Sequence, residues 1–133
     1  MATVFTGTTT LDGTRHVSRA SKGRVALWAG QFLLAAAFLM AGGSKLAGAQ
    51  AMVDLFNAVG IGQWFRYVTG TIEVGSAFAL LVPALAPYGA VALAATMTGA
   101  VFTHLFVIGG SPLAPLVLLA GSAAIAWARR DQF

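Results

Sequence analysis

Apolar residues run along this chain in four long blocks, separated by short polar or turn-forming stretches. Val25–Ala41 is interrupted only by Gly30 and Gln31. With Gly42–Leu46 added, it reaches the roughly 20 residues that cross a ~30 Å hydrocarbon core. Three further blocks follow in quick succession: Trp64–Leu85, Tyr88–Ile108 and Pro112–Ala128. Pro83 and Pro87 mark one turn, and Gly109, Gly110, Pro112 and Pro115 mark the next. Both turns are so short that helices two, three and four are expected to be antiparallel neighbours. Between the first two blocks, Gln50–Gly60 sets Met52, Leu55, Phe56 and Val59 at helical spacing opposite Asp54 and Asn57, with Gly60 as a stop. This segment reads as a short amphipathic helix at the membrane surface. The alternative is an irregular loop with scattered apolar residues.

The pattern therefore predicts an all-α membrane protein, a four-transmembrane-helix bundle with a short interfacial helix between helices 1 and 2. Residues 1–23, rich in threonine and serine, read as a flexible polar and basic tail. Residues 24–130 form a single membrane domain, with spans at about 25–46, 64–85, 88–108 and 112–128. A signal peptide is the rival reading of the first block, because Ala47-Gly48-Ala49 looks like a cleavage site. Against it, the run exceeds the ~7–15 residues of a signal h-region, and Lys45 lies between run and site.

Composition sharpens this picture. The chain is 58% hydrophobic and 9% charged, where a soluble domain carries roughly 25% charged residues. Between Arg66 and Arg129 lie 62 residues, and the one formal charge among them is Glu73. A soluble fold could not cover its surface in this way. The absence of cysteine removes disulfides, thiolate metal sites and thiol catalysis.

A net charge of +4 would suggest nucleic acid in a soluble chain. Here Arg15, Arg19, Lys22 and Arg24 precede an apolar run and Arg129 and Arg130 follow another, which is the placement of topology signals. No nucleic-acid partner is expected. The same charges put both termini in the cytoplasm, and the expected location is the bacterial cytoplasmic (inner) membrane. Trp28, Tyr88 and Trp127 would then anchor the inner interface, and Trp64 and Tyr67 the outer one.

Small residues recur at packing distances. Ala95, Gly99 and Thr103 share a face of helix three, and Ala120, Ala124 and Ala128 share one on helix four. Small residues let helix backbones approach closely in lipid. Contacts within one bundle are the bland reading; an oligomer or partner interface is the functional one.

Glu73 carries the sharpest chemical signal. It falls near the bilayer midplane, where a carboxylate is expensive and normally faces protein or trapped water. Arg66 lies two turns outward on the same face, His104 lies near the outer end of helix three, and Lys45 caps the outer end of helix one. These four groups gather in the outer half of the bundle and are candidates to line a ligand or quinone pocket. Each has a plainer reading: Lys45 and Arg66 as snorkelling cations, His104 as a packing histidine, and Glu73 as a structural carboxylic acid. One membrane histidine is too few for bis-histidine haem, and one Glu with one His is too few for a zinc or di-metal site. No metal is expected.

Several strings, taken in order, resemble the DoxX-like family of small four-helix membrane proteins. They are Ala41-Gly42-Gly43-Ser44-Lys45-Leu46, Gly70-Thr71-Ile72-Glu73, Leu80-Leu81-Val82-Pro83, then Met97, Ala100 and His104, and the Pro112/Pro115 pair. The resemblance runs from about Phe32 to Arg129. It implies association with redox complexes, since the family takes its name from a membrane subunit of thiosulfate:quinone oxidoreduction. Lys45, Glu73 and His104 are the matching positions. Without cysteine, a sulfur relay within this chain does not follow.

The leading expectation is a non-autonomous membrane subunit of a respiratory or other redox-linked complex, not a stand-alone enzyme, with quinone as the possible cofactor or lipid in its pocket. Its partners would be the lipid bilayer and a larger membrane complex or homo-oligomer. The alternatives are a structural assembly subunit and a small proton-coupled transporter.

Overall fold

A computed structural model describes the backbone from Thr9 and the side chains from Ser21 to the C-terminus. Five α-helices make up most of it: α1 Thr9–Ala47, α2 Gln50–Val59, α3 Trp64–Leu80, α4 Ala86–Thr103 and α5 Leu113–Ala128. α4 continues into a π-helical segment, His104–Ile108, and a 3₁₀ turn, Arg130–Gln132, follows α5. No strand occurs among the described residues.

Among the described residues, two stretches are long and apolar enough to cross a membrane. They are Ser21–Ala47, with mean hydropathy 1.8, and Ala86–Ile108, with 1.9. Large apolar side chains face outward around the bundle, with Leu33 74%, Met40 75% and Phe106 71% exposed. A water-facing surface would be expected to carry charge at such positions; this one carries leucine, methionine and phenylalanine.

The element boundaries depart from the sequence reading in two places. α1 begins at Thr9 and takes in residues 9–23, the segment read as a tail, while residues 1–8 lie outside the described residues. The second block does not stay helical to Leu85, because α3 stops at Leu80. Pro83 lacks an N–H and disfavours helical backbone at Val82. The chain instead closes a tight turn in which the N–H groups of Leu85 and Ala86 donate to the Val82 carbonyl at 2.9 Å each. Pro87 then sits in the first turn of α4, where no N–H is needed. The amphipathic segment is a helix as read. Gly60 ends it with φ +86°, its N–H donating to the Phe56 carbonyl at 3.2 Å.

α1, α3, α4 and α5 form a bundle in which α1 packs on α3, α3 on α4 and α4 on α5, with a smaller contact between α5 and α1 closing it. The dense core occupies one half of this bundle, where Leu34, Ala35 and Phe38 meet Ala77, Leu80, Ala90, Leu93 and Ile125. The chain closes tightly there. A Cβ on Gly89 would sit 2.8 Å from the Ser76 carbonyl oxygen, so only glycine lets α4 turn back onto α3 at this distance. The opposite half, where α1 ends and α3 begins, is looser and holds the site.

Candidate functional site

The site starts from a glycine crossing. A Cβ on Gly42 would lie 2.9 Å from the Gly70 carbonyl oxygen, and one on Gly70 would lie 3.0 Å from the Gly42 carbonyl oxygen. These reciprocal contacts leave no room for any side chain, so α1 and α3 touch backbone to backbone. Three residues further along each helix stand Lys45 and Glu73. The close approach lets the Lys45 ammonium Nζ donate to Glu73 Oε2 at 3.0 Å.

This pair is sequestered, with side-chain exposures of 14% for Lys45 and 1% for Glu73. The second carboxylate oxygen, Glu73 Oε1, is buried and has no hydrogen-bond partner among the described residues. A buried carboxylate oxygen without a donor is costly.

Arg66 plays a different part from the one expected of it. It is 5% exposed, yet it does not line the cavity described below. Its guanidinium donates to the Lys45 carbonyl and, at 2.7 Å, to Gln63 Oε1, and it stacks 4.3 Å above the Tyr67 ring. The α1 terminus forms a Schellman motif. Gly48, at φ +73°, donates to the Lys45 carbonyl at 3.3 Å, and Ala49 donates to the Ser44 carbonyl at 3.0 Å. A cation at this carboxyl end complements the helix dipole. Arg66 thus holds the backbone from which Lys45 projects and does not line the cavity.

His104 opens the π segment, where one extra residue per turn widens the helix and re-aims its side chains. Its Nδ1 lies 2.8 Å from the Ala100 carbonyl oxygen. No hydrogen bond joins it to Lys45 or Glu73 among the described residues. The three groups are instead brought to one space, a cavity of about 500 Å³ lined by Lys45, Glu73 and His104. That volume suits a small amphiphile.

Most of the remaining wall is apolar. α2 contributes Met52, Leu55, Phe56 and Val59, the same four residues that made it amphipathic, so this helix roofs the cavity. Phe56 is 4% exposed and packs edge-on against Phe65, centroids 5.9 Å apart.

The two small-residue faces have separate fates. Ala95, Gly99 and Thr103 line the cavity rather than a helix contact, and a Cβ on Gly99 would meet nothing within 4 Å. Ala120, Ala124 and Ala128 are exposed, so packing within the bundle does not account for them. Helix phase sets this outcome, since Ser122 and Ile125 take the inward face of α5.

One buried polar cluster was not anticipated. At the far end of the bundle, fully buried Gln31 donates through Nε2 to the Leu80 carbonyl at 2.6 Å and accepts from Arg129 Nε at 2.6 Å. Arg129, read from sequence as a topology charge, is 6% exposed and lies 5.1 Å above the Trp28 ring. The Gln132 amide, with its oxygen toward Arg129, accepts from that guanidinium at 2.9 Å and donates to the Pro83 carbonyl at 3.2 Å. The available signal was Gln31 itself, an amide inside an otherwise apolar run.

The model of a family described as DoxX-like matches residues 29–130 of the chain, which takes in every residue of the cavity and of the Gly42–Gly70 crossing. No curated protein and no solved structure matches it.

Proposed function

The chain belongs to the DoxX-like family, and from that premise we propose a small membrane subunit of a respiratory or other redox-linked complex whose inter-helix cavity binds quinone. The observation that carries this reading is the buried Lys45–Glu73 pair with one carboxylate oxygen unpartnered, set in an apolar cavity beside His104. A quinone ring and tail suit apolar walls. Its two oxygens need hydrogen bonds, which the Lys45 ammonium can donate, and, on reduction, protons, which the Glu73 carboxyl and the His104 imidazole can relay.

In this reading α1, α3, α4 with its π segment, and α5 are the four spans, and both termini are cytoplasmic in a bacterial inner membrane. The outward apolar side chains support spanning. α3 and α5, at 17 and 16 residues, are about 25 Å long, so interfacial anchors must complete the crossing. Trp64 and Tyr67 begin α3, and at the end of α5 the Arg130 guanidinium lies 4.4 Å above the Trp127 ring.

Purification from native membranes in mild detergent tests the proposal. Co-migration with a larger complex and extractable quinone are expected. Glu73→Gln is expected to lower quinone-linked turnover by at least about tenfold, the effect of losing one general acid–base group being about 10²-fold or more, while the complex remains assembled. Full turnover in that variant sinks the catalytic form of the proposal. A structural assembly subunit is the second reading, favoured by the exposed Ala120–Ala124–Ala128 face. Co-migration without quinone would support it.

A further inference from the structure

The polar atoms around the cavity are mostly acceptors, and this determines what kind of molecule can satisfy them. Lys45 Nζ holds Glu73 Oε2 at 3.0 Å, leaving Oε1 buried and, among the described residues, unpartnered. His104 Nδ1 faces the Ala100 carbonyl at 2.8 Å. A carbonyl only accepts, so Nδ1 carries the hydrogen and, in the neutral ring, Nε2 is left as an acceptor. Three threonines line the same space, and each has spent its hydroxyl hydrogen. Thr69 donates to the Phe65 carbonyl, Thr96 to that of Ala92 and Thr103 to that of Gly99, at 2.8 Å in every case. Each hydroxyl therefore offers the cavity lone pairs. The donor on the wall is Lys45, and one of its three hydrogens is already on Glu73.

We infer that the cavity selects a ligand whose polar head donates hydrogen bonds, a hydroquinone or phenol in preference to a quinone or ether. The inference rests on the quinone-binding reading above and adds to it the redox form that is held. A quinone brings two carbonyl acceptors and no donor. It could accept from Lys45 but would leave Glu73 Oε1 buried without a partner. A hydroquinone of the same size brings two hydroxyls, each able to donate to Glu73 Oε1, to His104 Nε2 or to a threonine oxygen while still accepting from Lys45. Both forms bury the same ring, so the difference lies in the polar contacts alone.

The experiment titrates the full chain in detergent with matched probes, referenced to micelles without protein. One pair is a short-chain hydroquinone, kept reduced under anaerobic conditions, and its quinone. The second pair is a 4-alkylphenol and its methyl ether, which removes redox chemistry from the comparison. The donor member of each pair is expected to bind about tenfold more tightly. Equal or tighter binding of the quinone and the ether overturns this inference and leaves quinone binding standing. No binding by any probe overturns both.

Glu73→Gln supplies a further check, because its amide adds hydrogens where the carboxylate had none. In the folded variant, the preference is expected to shift toward the quinone. An unchanged ratio overturns the assignment of the preference to Glu73. The wild-type phenol and ether comparison decides the matter even where that variant does not fold.

Discussion

Lys45 and Glu73 depend on each other in a way that neither shows alone. Glu73 is almost wholly enclosed, at 1% exposure, and among the described residues its one donor is the Lys45 ammonium. Removing the cation strands a buried carboxylate, whereas removing both charges strands nothing. Lys45→Met is therefore expected to destabilise the protein by about 3–5 kcal/mol. Lys45→Met combined with Glu73→Leu is expected to recover most of that loss. Thermal unfolding of the two variants in detergent measures it, and equal losses would show that the pair is not coupled. Arg66 acts at the same scale but on backbone. By holding the Lys45 carbonyl it fixes where the ammonium starts.

Among the helices, glycines at two positions do opposite things. Gly42 is where α1 meets α3, with three atoms of α3 within 3.0 Å of a notional Cβ, while Gly99 of α4 faces open space. Gly42→Leu is expected to force α1 and α3 apart and to abolish folded protein, since backbone cannot yield as a flexible side chain does. Gly99→Leu should leave unfolding unchanged and fill the cavity. The measurements are the yield of monodisperse protein for the first variant and, for the second, thermal unfolding alongside probe binding. A Gly99→Leu protein that binds normally would show that the ligand lies elsewhere. α2 belongs to this scale as well, because its apolar face finds its partner in the cavity beneath it.

The whole chain is asymmetric along its length. At one end, Gln31, Arg129 and Gln132 tie α1, the close of α3 and the C-terminus into a buried polar clasp beside the dense core. At the other, the helices separate around the cavity. The proposed membrane topology is testable because the chain has no cysteine to interfere. Ile61→Cys, in the α2–α3 loop, and Asp131→Cys, after α5, both occupy exposed positions. A membrane-impermeant maleimide added to intact cells is expected to label the first and to reach the second only after the membrane is opened. Labelling of both from one side would overturn the four-span arrangement.

Helical periodicity, the proline and glycine turns and the charge desert were enough to show helices in this order. The Gly60 stop of α2 and the start of α5 near Pro112 were legible because local backbone chemistry decides them. Glu73, His104, Lys45 and Arg66 stood out together because charge is costly between apolar helices, and three of the four, Glu73, His104 and Lys45, line one cavity. The phase of one helix against another was not legible. Whether Ala95 and Ala120 face a neighbour, a cavity or the outside depends on rotations that no single helix encodes, and the same holds for Arg66 and Arg129. Read along the chain, Arg66 is a pocket candidate or a snorkelling cation and Arg129 a topology charge; both are buried because distant segments supply acceptors: the Lys45 carbonyl for one, the Gln31 amide for the other. Local sequence determined which groups are too costly to leave unpartnered in an apolar setting. Tertiary packing decided which of them found partners and left Glu73 Oε1 without one among the described residues.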